Sequence, residues 1–257
     1  MIALFAIGLA IAAGYFAVTW AISVRIRNYG LLDVAFSYGV AILAPIYAWA
    51  GPGFETRKWA FAAIGAVWSL RLGTYILVRV IRHHPTEDSR YAELRLRWPG
   101  PLGFLGFFEL QAVLVAIFST PFLLASFNPV RSFAIVEIAG LALAAAGVLG
   151  ETVADLQMQA FKRDPASRGR VCEVGVWRYS RHPNYFFESL VWCGFFVAAL
   201  GSPYGWITIV CPLLMLYFLL RVTGIPLTEA QAVRSKGDAY REYQRTTSAF
   251  VPWFRRA

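Results

Sequence analysis

Charged residues are scarce in this chain: they make up only 15% of its 257 residues, against about 25% in an ordinary soluble domain. Hydrophobic residues make up 58%, and the mean hydropathy is +0.54. A helix needs roughly 20 mostly apolar residues to cross a bilayer, and several stretches reach that length. The composition therefore predicts a polytopic membrane protein rather than a large soluble α-helical protein with an unusually apolar core.

Cysteine is scarce too. Cys172, Cys193 and Cys211 form no CxxC pair, so we expect neither disulfides nor a cysteine-based metal site. The chain has no Walker A loop, no GxGxxG turn after a strand and no HExxH helix, so any nucleotide must be held without a Rossmann turn. Met1 opens directly into apolar sequence without a basic region or a cleavage site, which is typical of a retained first span.

Seven apolar segments predict an all-α transmembrane bundle. Helices are expected because every backbone polar group in lipid must be bonded internally. We treat 1–257 as a single membrane domain, with a transmembrane bundle over 1–150 and a site-bearing half over 151–257. The predicted spans are 2–24, 31–50, 59–81, 103–127, 133–155, 186–201 and 204–222.

Lysine and arginine are distributed unevenly over the connectors. The connectors after spans 1, 3 and 5 and the C-terminal tail hold 20 of the 24 basic residues, whereas the opposite side holds Arg57, Lys58 and Arg131. The positive-inside rule places the richer side in the cytoplasm. The sequence thus predicts a multi-pass protein of the cell inner membrane with its N-terminus outside and its C-terminus inside. The net charge of +9 then reflects topology rather than a nucleic-acid partner.

Several ionisable residues lie inside the predicted spans, where each is a functional-site hypothesis because a charge in lipid is costly. Tyr75 follows Arg71 by one turn on the same face of span 3. Two structural alternatives stay open: Asp33 and Asp155 could reach water near helix ends, and Arg71 could pair with Glu109. The full set is Asp33, Arg71, Glu109, Glu151, Asp155 and Glu188.

Two further patterns each allow two interpretations. Glu151, Asp155 and Lys162 form a stripe that either lines a polar pocket with the 178–188 segment or is the solvated end of a helix. The tail segment with Tyr240, Arg241, Tyr243 and Arg245 either forms an aromatic belt at the membrane interface or clamps an anionic ligand that has a flat ring.

Three segments resemble the bacterial DUF1295 proteins, a family related to the C-terminal domain of steroid 5α-reductases. They are ETVADLQMQAFKRDPASRGRV, GVWRYSRHPNYFFESLVWCGFF and GIPLTEAQAVRSKGDAYREYQRTTSAFVPWF. The likeness is thinner upstream, at NYGLLDVAF and LRLGTYILVR. It implies a seven-helix membrane enzyme that holds NADPH in a cytoplasm-facing cavity and reduces a polarised C=C bond of a lipid-like molecule. The wider superfamily includes isoprenylcysteine and phospholipid methyltransferases, which use S-adenosylmethionine and share an arginine-histidine-proline segment.

The resemblance also implies a set of cofactor-binding residues. Asn184 and Glu188 would line the cofactor cavity, and Asp155 and Lys162 would contact the dinucleotide. Pro183 would break the helix so that its neighbours face the cavity. The full expected set is Glu151, Asp155, Lys162, Arg181, His182, Asn184, Tyr185, Glu188, Arg221, Tyr240, Arg241 and Tyr243.

One position departs from the reductase pattern. Trp68 stands where the reductases carry their catalytic tyrosine, and an indole cannot protonate a carbonyl oxygen as a phenol can. The expected catalytic residues are therefore Tyr75 with Arg71, or Asp33, with Tyr38 as a further candidate.

Three functions stay open at this point. The first is an NADPH-dependent reductase of a hydrophobic small molecule in contact with membrane lipids. The second is an S-adenosylmethionine-dependent methyltransferase. Those methyltransferases carry an acidic residue followed by a Gly-x-x-Tyr-x-x-Tyr-like run, and Glu229 with the GDAYREY segment resembles it. The third is a non-catalytic membrane lipid-binding protein.

Overall fold

A computed structural model describes residues 1–87, Tyr91, Leu94 and 100–255. Every regular element in this described part is a helix, which confirms the all-α prediction. Arg90, Arg95, Arg97 and Arg256, which entered the charge count, lie outside the described residues. The chain divides into two compact units, residues 1–134 with 199–208 and residues 135–198 with 209–257.

Among the described residues, the first unit contains five α-helices and the second contains the others, apart from the last residue of α7. The helices of the first unit are α1 Ile2–Ile26, α2 Leu31–Ala50, α3 Glu55–His83, α4 Gly100–Phe118 and α5 Thr120–Ser126. Those that follow are α6 Ile135–Arg163, α7 Pro183–Ala199, α8 Val210–Tyr217, α9 Ile225–Lys236 and α10 Asp238–Thr246. Short 3-10 turns lie at Pro165–Ser167, Gly175–Arg178 and Gly205–Ile209, and a π-helical turn lies at Phe218–Val222.

Within the described part of the chain, six helical segments are long and apolar enough to cross a membrane, which confirms a multi-pass protein. They are α1, α2, α3, α4, α6 and the run Gly205–Lys236. The predicted span 186–201 coincides with α7, which has 17 residues. At 1.5 Å per residue α7 extends about 26 Å, short of a hydrocarbon core about 30 Å thick. The expected seventh span is therefore not confirmed.

The predicted fourth span, 103–127, is divided in two. α4 ends at Phe118 and α5 begins at Thr120. Pro121 occupies the first turn of α5, where its missing N–H breaks no helical hydrogen bond. The chain thus interrupts a continuous apolar run at the one place where proline favours a new helix start.

Arg57 is a structural residue of the first unit. It is only 1% exposed, and its guanidinium donates to the carbonyl oxygens of Asn128, Val130 and Ser132 at 3.2, 2.6 and 2.5 Å. Lys58 is also buried and donates to the Gly51 carbonyl at 2.8 Å. Two of the three basic residues predicted on the outer side therefore hold the start of α3 against neighbouring loops.

Glycines bring α6 and α7 of the second unit together. A Cβ atom at Gly147 would lie 2.8 Å from the backbone nitrogen of Val191. Gly140 and Gly194 face backbone atoms of the opposite helix in the same way. Small residues of this kind allow close helix packing in membranes.

Candidate functional site

The candidate site lies in the second unit, around the start of α7. Pro183 is the first residue of this helix, a position that proline favours because its φ is already helical. The His182 backbone N–H donates a hydrogen bond to the hydroxyl of the preceding Ser180 at 3.1 Å. The segment 180–184 is therefore fixed before the helix begins.

Arg181 and Glu229 form the centre of a partly buried polar cluster. The Arg181 Nε donates to Glu229 Oε1 at 2.6 Å, and its Nη1 donates to the carbonyl oxygens of Gln244 and Thr247 at 2.9 and 2.5 Å. Glu229 Oε2 accepts from Gln244 Nε2 at 2.9 Å, and Glu229 Oε1 lies 3.2 Å from His182 Nε2. We call these four side chains, Arg181, His182, Glu229 and Gln244, the Arg181–Glu229 cluster. It joins the start of α7 to α9 and α10.

The surroundings of His182 favour its neutral form. Burial lowers its pKa, and the nearby Glu229 opposes that shift only in part. The ring stacks on Tyr185 with centroids 5.3 Å apart and planes 4° apart. The Tyr185 hydroxyl lies 3.1 Å from Thr228 Oγ1. His182 and Tyr185 thus form a flat surface attached to both α7 and α9.

Glu188 and Asn184 lie one turn apart on α7 but have different surroundings. Glu188 is buried and accepts a hydrogen bond from Trp192 Nε1 at 3.0 Å. Asn184 Oδ1 is also buried, yet no described residue donates a hydrogen bond to it. Buried polar atoms nearly always have a partner. The vacant acceptor of Asn184 therefore indicates a position where a ligand donor can bind.

The acidic residues of the α6 stripe are buried rather than solvated. Glu151 is 3% exposed and Asp155 is 5% exposed. The alternative of a solvated helix end is therefore wrong for these two residues. Lys162, two turns after Asp155, is exposed at the end of the helix. Along α6 the stripe therefore passes from two buried carboxylates to an exposed lysine.

The 3-10 turn before α7 is fastened to α6 and to the tail. Trp177 Nε1 donates to the Ala154 carbonyl at 2.9 Å, and the Val176 N–H donates to Gln157 Oε1 at 2.9 Å. The Tyr243 hydroxyl donates to the carbonyl oxygens of Trp177 and Ser180. This turn therefore holds the end of α6, the start of α7 and α10 in one arrangement.

The four tail and π-turn residues predicted to bind cofactor divide into two kinds. Tyr240 and Tyr243 are buried, and burial raises the pKa of both phenols. The interfacial-belt alternative is therefore wrong for these two. Arg241 is exposed and pairs with Asp238 at 2.9 Å. Arg221 is exposed within the π-helical turn.

A basic groove follows the end of α6. It has a volume of about 370 Å³ and is lined by five basic side chains: Lys162, Arg163, Arg168, Arg170 and Lys236. The Asp164 carboxylate also borders it but accepts the Ala166 N–H at 2.9 Å and the Ser167 hydroxyl at 3.3 Å. The groove is therefore suited to an anion. Of these five basic residues, the sequence predicts only Lys162 as a site residue. The other four contributed only to the count of basic residues that predicts orientation in the membrane.

The predicted catalytic residues lie in the first unit. Asp33 Oδ1 accepts a hydrogen bond from the Tyr91 hydroxyl at 2.8 Å, and Arg79 Nη2 lies 4.0 Å from Asp33 Oδ2. Arg71 and Tyr75 are half-buried on α3. Their catalytic role stays a prediction.

Two other positions of the first unit bear on that prediction. Trp68 is 1% exposed and belongs to the core. The Tyr38 hydroxyl lies 3.0 Å from Thr74 Oγ1. Over the described ranges, no group of three or more His, Cys, Asp or Glu side chains could hold a metal ion.

Comparison with known proteins gives one match. The family model described as "Protein of unknown function (DUF1295)" matches residues 19–247. Neither the curated proteins nor the solved structures include a match. The match covers both units and every predicted site residue.

Proposed function

The chain belongs to the DUF1295 family, and from that premise we propose that it is an NADPH-dependent membrane reductase acting on a C=C bond of a lipid, steroid or isoprenoid-like molecule. The observation that carries this proposal is the basic groove at the end of α6. The resemblance to steroid 5α-reductases supplies the reaction class.

Charge favours NADPH over S-adenosylmethionine as the ligand of this unit. NADPH carries a pyrophosphate and a 2′-phosphate, for which arginine forks are well suited. S-adenosylmethionine carries a sulfonium cation, an ammonium group and a single carboxylate but no phosphate, so a groove lined by five basic side chains suits it less well than it suits NADPH. The Arg163 to Arg170 segment with Lys236 would therefore hold the phosphate side of the dinucleotide.

The polar residues of α6 and α7 suit the other end of the cofactor. The buried, vacant acceptor of Asn184 fits an amide or hydroxyl donor. Glu188 and Asp155 are buried carboxylates that can accept from ribose hydroxyls or the carboxamide. When bound, NADPH would supply the hydride, which is chemistry that the side chains lack. These residues would bind and orient it.

The protein's own chemical contribution would be a proton. Reduction of a C=C bond conjugated to a carbonyl group needs an acid near that oxygen. Tyr75 has a phenol on α3, with Arg71 one turn before it. In this proposal Tyr75 donates the proton and Arg71 positions it; Asp33 is the second candidate, already hydrogen-bonded to Tyr91.

The methyltransferase alternative rests on Glu229 and the segment that follows it. In this chain Glu229 is engaged by Arg181, Gln244 and His182. Its carboxylate therefore holds α9 and α10 to the start of α7 and is poorly placed to receive a cationic ligand. We keep this alternative, and the non-catalytic lipid-binding protein, as outcomes of the test.

The test is calorimetric titration of detergent-solubilised protein with NADPH, NADH and S-adenosylmethionine. We expect NADPH to bind more tightly than NADH, because the basic groove contacts the 2′-phosphate. The double variant Lys162→Gln/Arg170→Gln should weaken NADPH binding at least about 10-fold, since each charge-assisted hydrogen bond contributes roughly 1.5–3 kcal/mol. Arg234→Gln, an exposed residue of α9 outside the groove lining, is the matched control and should bind as the wild type does.

Two results would overturn the proposal. Binding of S-adenosylmethionine without NADPH would establish the methyltransferase alternative. Binding of neither nucleotide, by protein whose melting transition shows that it is folded, would favour the lipid-binding protein.

A further inference from the structure

Large apolar side chains are exposed in the last residues of the second unit. We call residues 248–254 the C-terminal strap. Trp253 is 66% exposed, Phe254 is 76% exposed and Val251 is 52% exposed. Tyr179, beside the strap, is 42% exposed. Exposed apolar side chains that lie together often mark an interaction site.

The strap is fixed to the protein by its backbone. The Arg181 N–H donates to the Ser248 carbonyl at 2.9 Å, and the Ser180 hydroxyl donates to the Phe250 carbonyl at 2.8 Å. The Trp253 N–H donates to the Tyr179 carbonyl at 2.9 Å. These bonds hold the exposed rings in place before any partner arrives.

The exposed rings form one face. Tyr179 and Phe254 meet edge to face with centroids 6.3 Å apart, and Trp253 and Phe254 do the same at 6.3 Å. Arg178 is exposed beside Tyr179. Arg255 follows Phe254 and pairs with Glu173 at 2.5 Å. The face therefore combines aromatic rings with neighbouring arginines.

The position of the strap along the chain indicates its depth in the bilayer. Tyr179, which the strap contacts, lies four residues before Pro183, the first residue of the apolar helix α7. Tryptophan and tyrosine favour the headgroup depth of a bilayer, and arginines near it attract anionic lipids. The segment carries the basic residues that the charge distribution assigns to the cytoplasmic side.

We propose that the aromatic face of the C-terminal strap inserts into the headgroup region of the anionic cytoplasmic leaflet. Trp253, Phe254 and Tyr179 anchor it, and Arg178 contacts lipid phosphate. Because the Ser248 and Phe250 carbonyls bind the backbone and side chain of the 180–181 segment, this anchor also steadies the residues that begin the Arg181–Glu229 cluster. The inference goes beyond the proposed function and does not depend on the identity of the cofactor.

The test uses tryptophan emission from the full chain in vesicles. Spectra of the wild type and Trp253→Phe are subtracted, so that the difference reports Trp253 alone; phenylalanine keeps an aromatic ring, and an exposed position tolerates the change. Vesicles contain phosphatidylcholine with phosphatidylglycerol, with or without lipids brominated near the headgroup end of the acyl chain. We expect brominated lipid to remove most of the Trp253 signal and aqueous acrylamide to remove little. The Trp68→Phe difference, from a core residue, is the control and should resist both quenchers.

A second experiment tests whether the charge of Arg178 contributes to the contact with anionic lipid. Arg178→Gln should reduce the quenching of Trp253 by brominated lipid in anionic vesicles, whereas in vesicles of phosphatidylcholine alone it should have little effect. Strong quenching of Trp253 by acrylamide without quenching by brominated lipid would place the strap in water and overturn the proposal. Protection from both quenchers that disappears when the protein is diluted in lipid would assign the face to a second copy of the chain and overturn it equally.

Discussion

Asn184 is the residue that most directly separates a binding role from a structural one. Its Oδ1 accepts no hydrogen bond from the described residues, so Asn184→Ala breaks no hydrogen bond at that oxygen. We expect this variant to weaken NADPH binding about 10-fold, the effect of losing one buried hydrogen bond, with a melting temperature close to that of the wild type. Calorimetry and thermal melts in the same detergent provide both measurements.

Asn128 supplies the matched control for that prediction. Its side chain donates to the Gly201 carbonyl at 2.9 Å and to Ser202 Oγ at 3.2 Å, and it accepts the Val130 N–H at 3.1 Å. Asn128→Ala should lower the melting temperature and leave NADPH affinity unchanged. If Asn184→Ala instead lowers the melting temperature and leaves affinity intact, Asn184 is structural.

His182 should make stability depend on pH. Burial lowers its pKa in the folded state, so the unfolded chain takes up the proton first as pH falls. The neutral ring's contribution is therefore fully present above the unfolded pKa of about 6.5 and is lost as pH falls below it. We expect urea unfolding midpoints of the wild type to decrease from about pH 7.5 to about pH 5.5, and His182→Gln to show a smaller decrease. An equal decrease in both proteins would exclude His182 as the titrating group.

For single residues, the sequence predicts which acidic side chains are buried better than it predicts which charged side chains pair with each other. Asp155 and Glu188 are buried, as charges within apolar segments suggest. The partner of Arg181 is Glu229, 48 residues away. Local spacing carries no information on such a contact, because it depends on how α9 and α10 fold back to the start of α7.

At the scale of helices, the contact between α6 and α7 depends on the absence of side chains. A Cβ atom at Gly147 would lie 2.8 Å from the Val191 backbone nitrogen, and a backbone cannot move aside cheaply. Gly147→Val should lower stability by roughly 1–3 kcal/mol or more through overpacking, seen as a lower melting temperature. Gly14→Ala on α1 has no neighbouring atom within 4 Å, so it should be neutral or slightly stabilising. Equal melting temperatures for the two variants would contradict close packing at Gly147.

Helix positions were largely predictable, but helix type was not. The predicted spans 2–24 and 31–50 match α1 and α2 within two residues. The predicted span 204–222 instead passes through a 3-10 turn, α8 and a π-helical turn. All three are apolar and helical, so hydropathy cannot distinguish them; the difference is set by which backbone groups pair in the folded chain.

For the molecule as a whole, orientation in the membrane is the first prediction. The charge count places Arg168 in the cytoplasm and Arg131 outside. Both side chains are exposed, so each can be replaced by cysteine and labelled. In intact cells an impermeant thiol reagent should label Arg131→Cys and not Arg168→Cys. The reverse pattern would invert the topology and remove the basic groove from cytosolic NADPH.

The proposed reaction is tested most directly by following the hydrogen that it transfers. NADPH carrying deuterium at the reactive carbon of its nicotinamide is supplied to the protein in membrane lipid extract, and lipids are analysed by mass spectrometry. We predict a product heavier than its unsaturated precursor by one deuterium and one hydrogen, formed by the wild type and markedly less by Lys162→Gln/Arg170→Gln. A lipid that gains a methyl group from S-adenosylmethionine, while no deuterium leaves NADPH, would contradict the account.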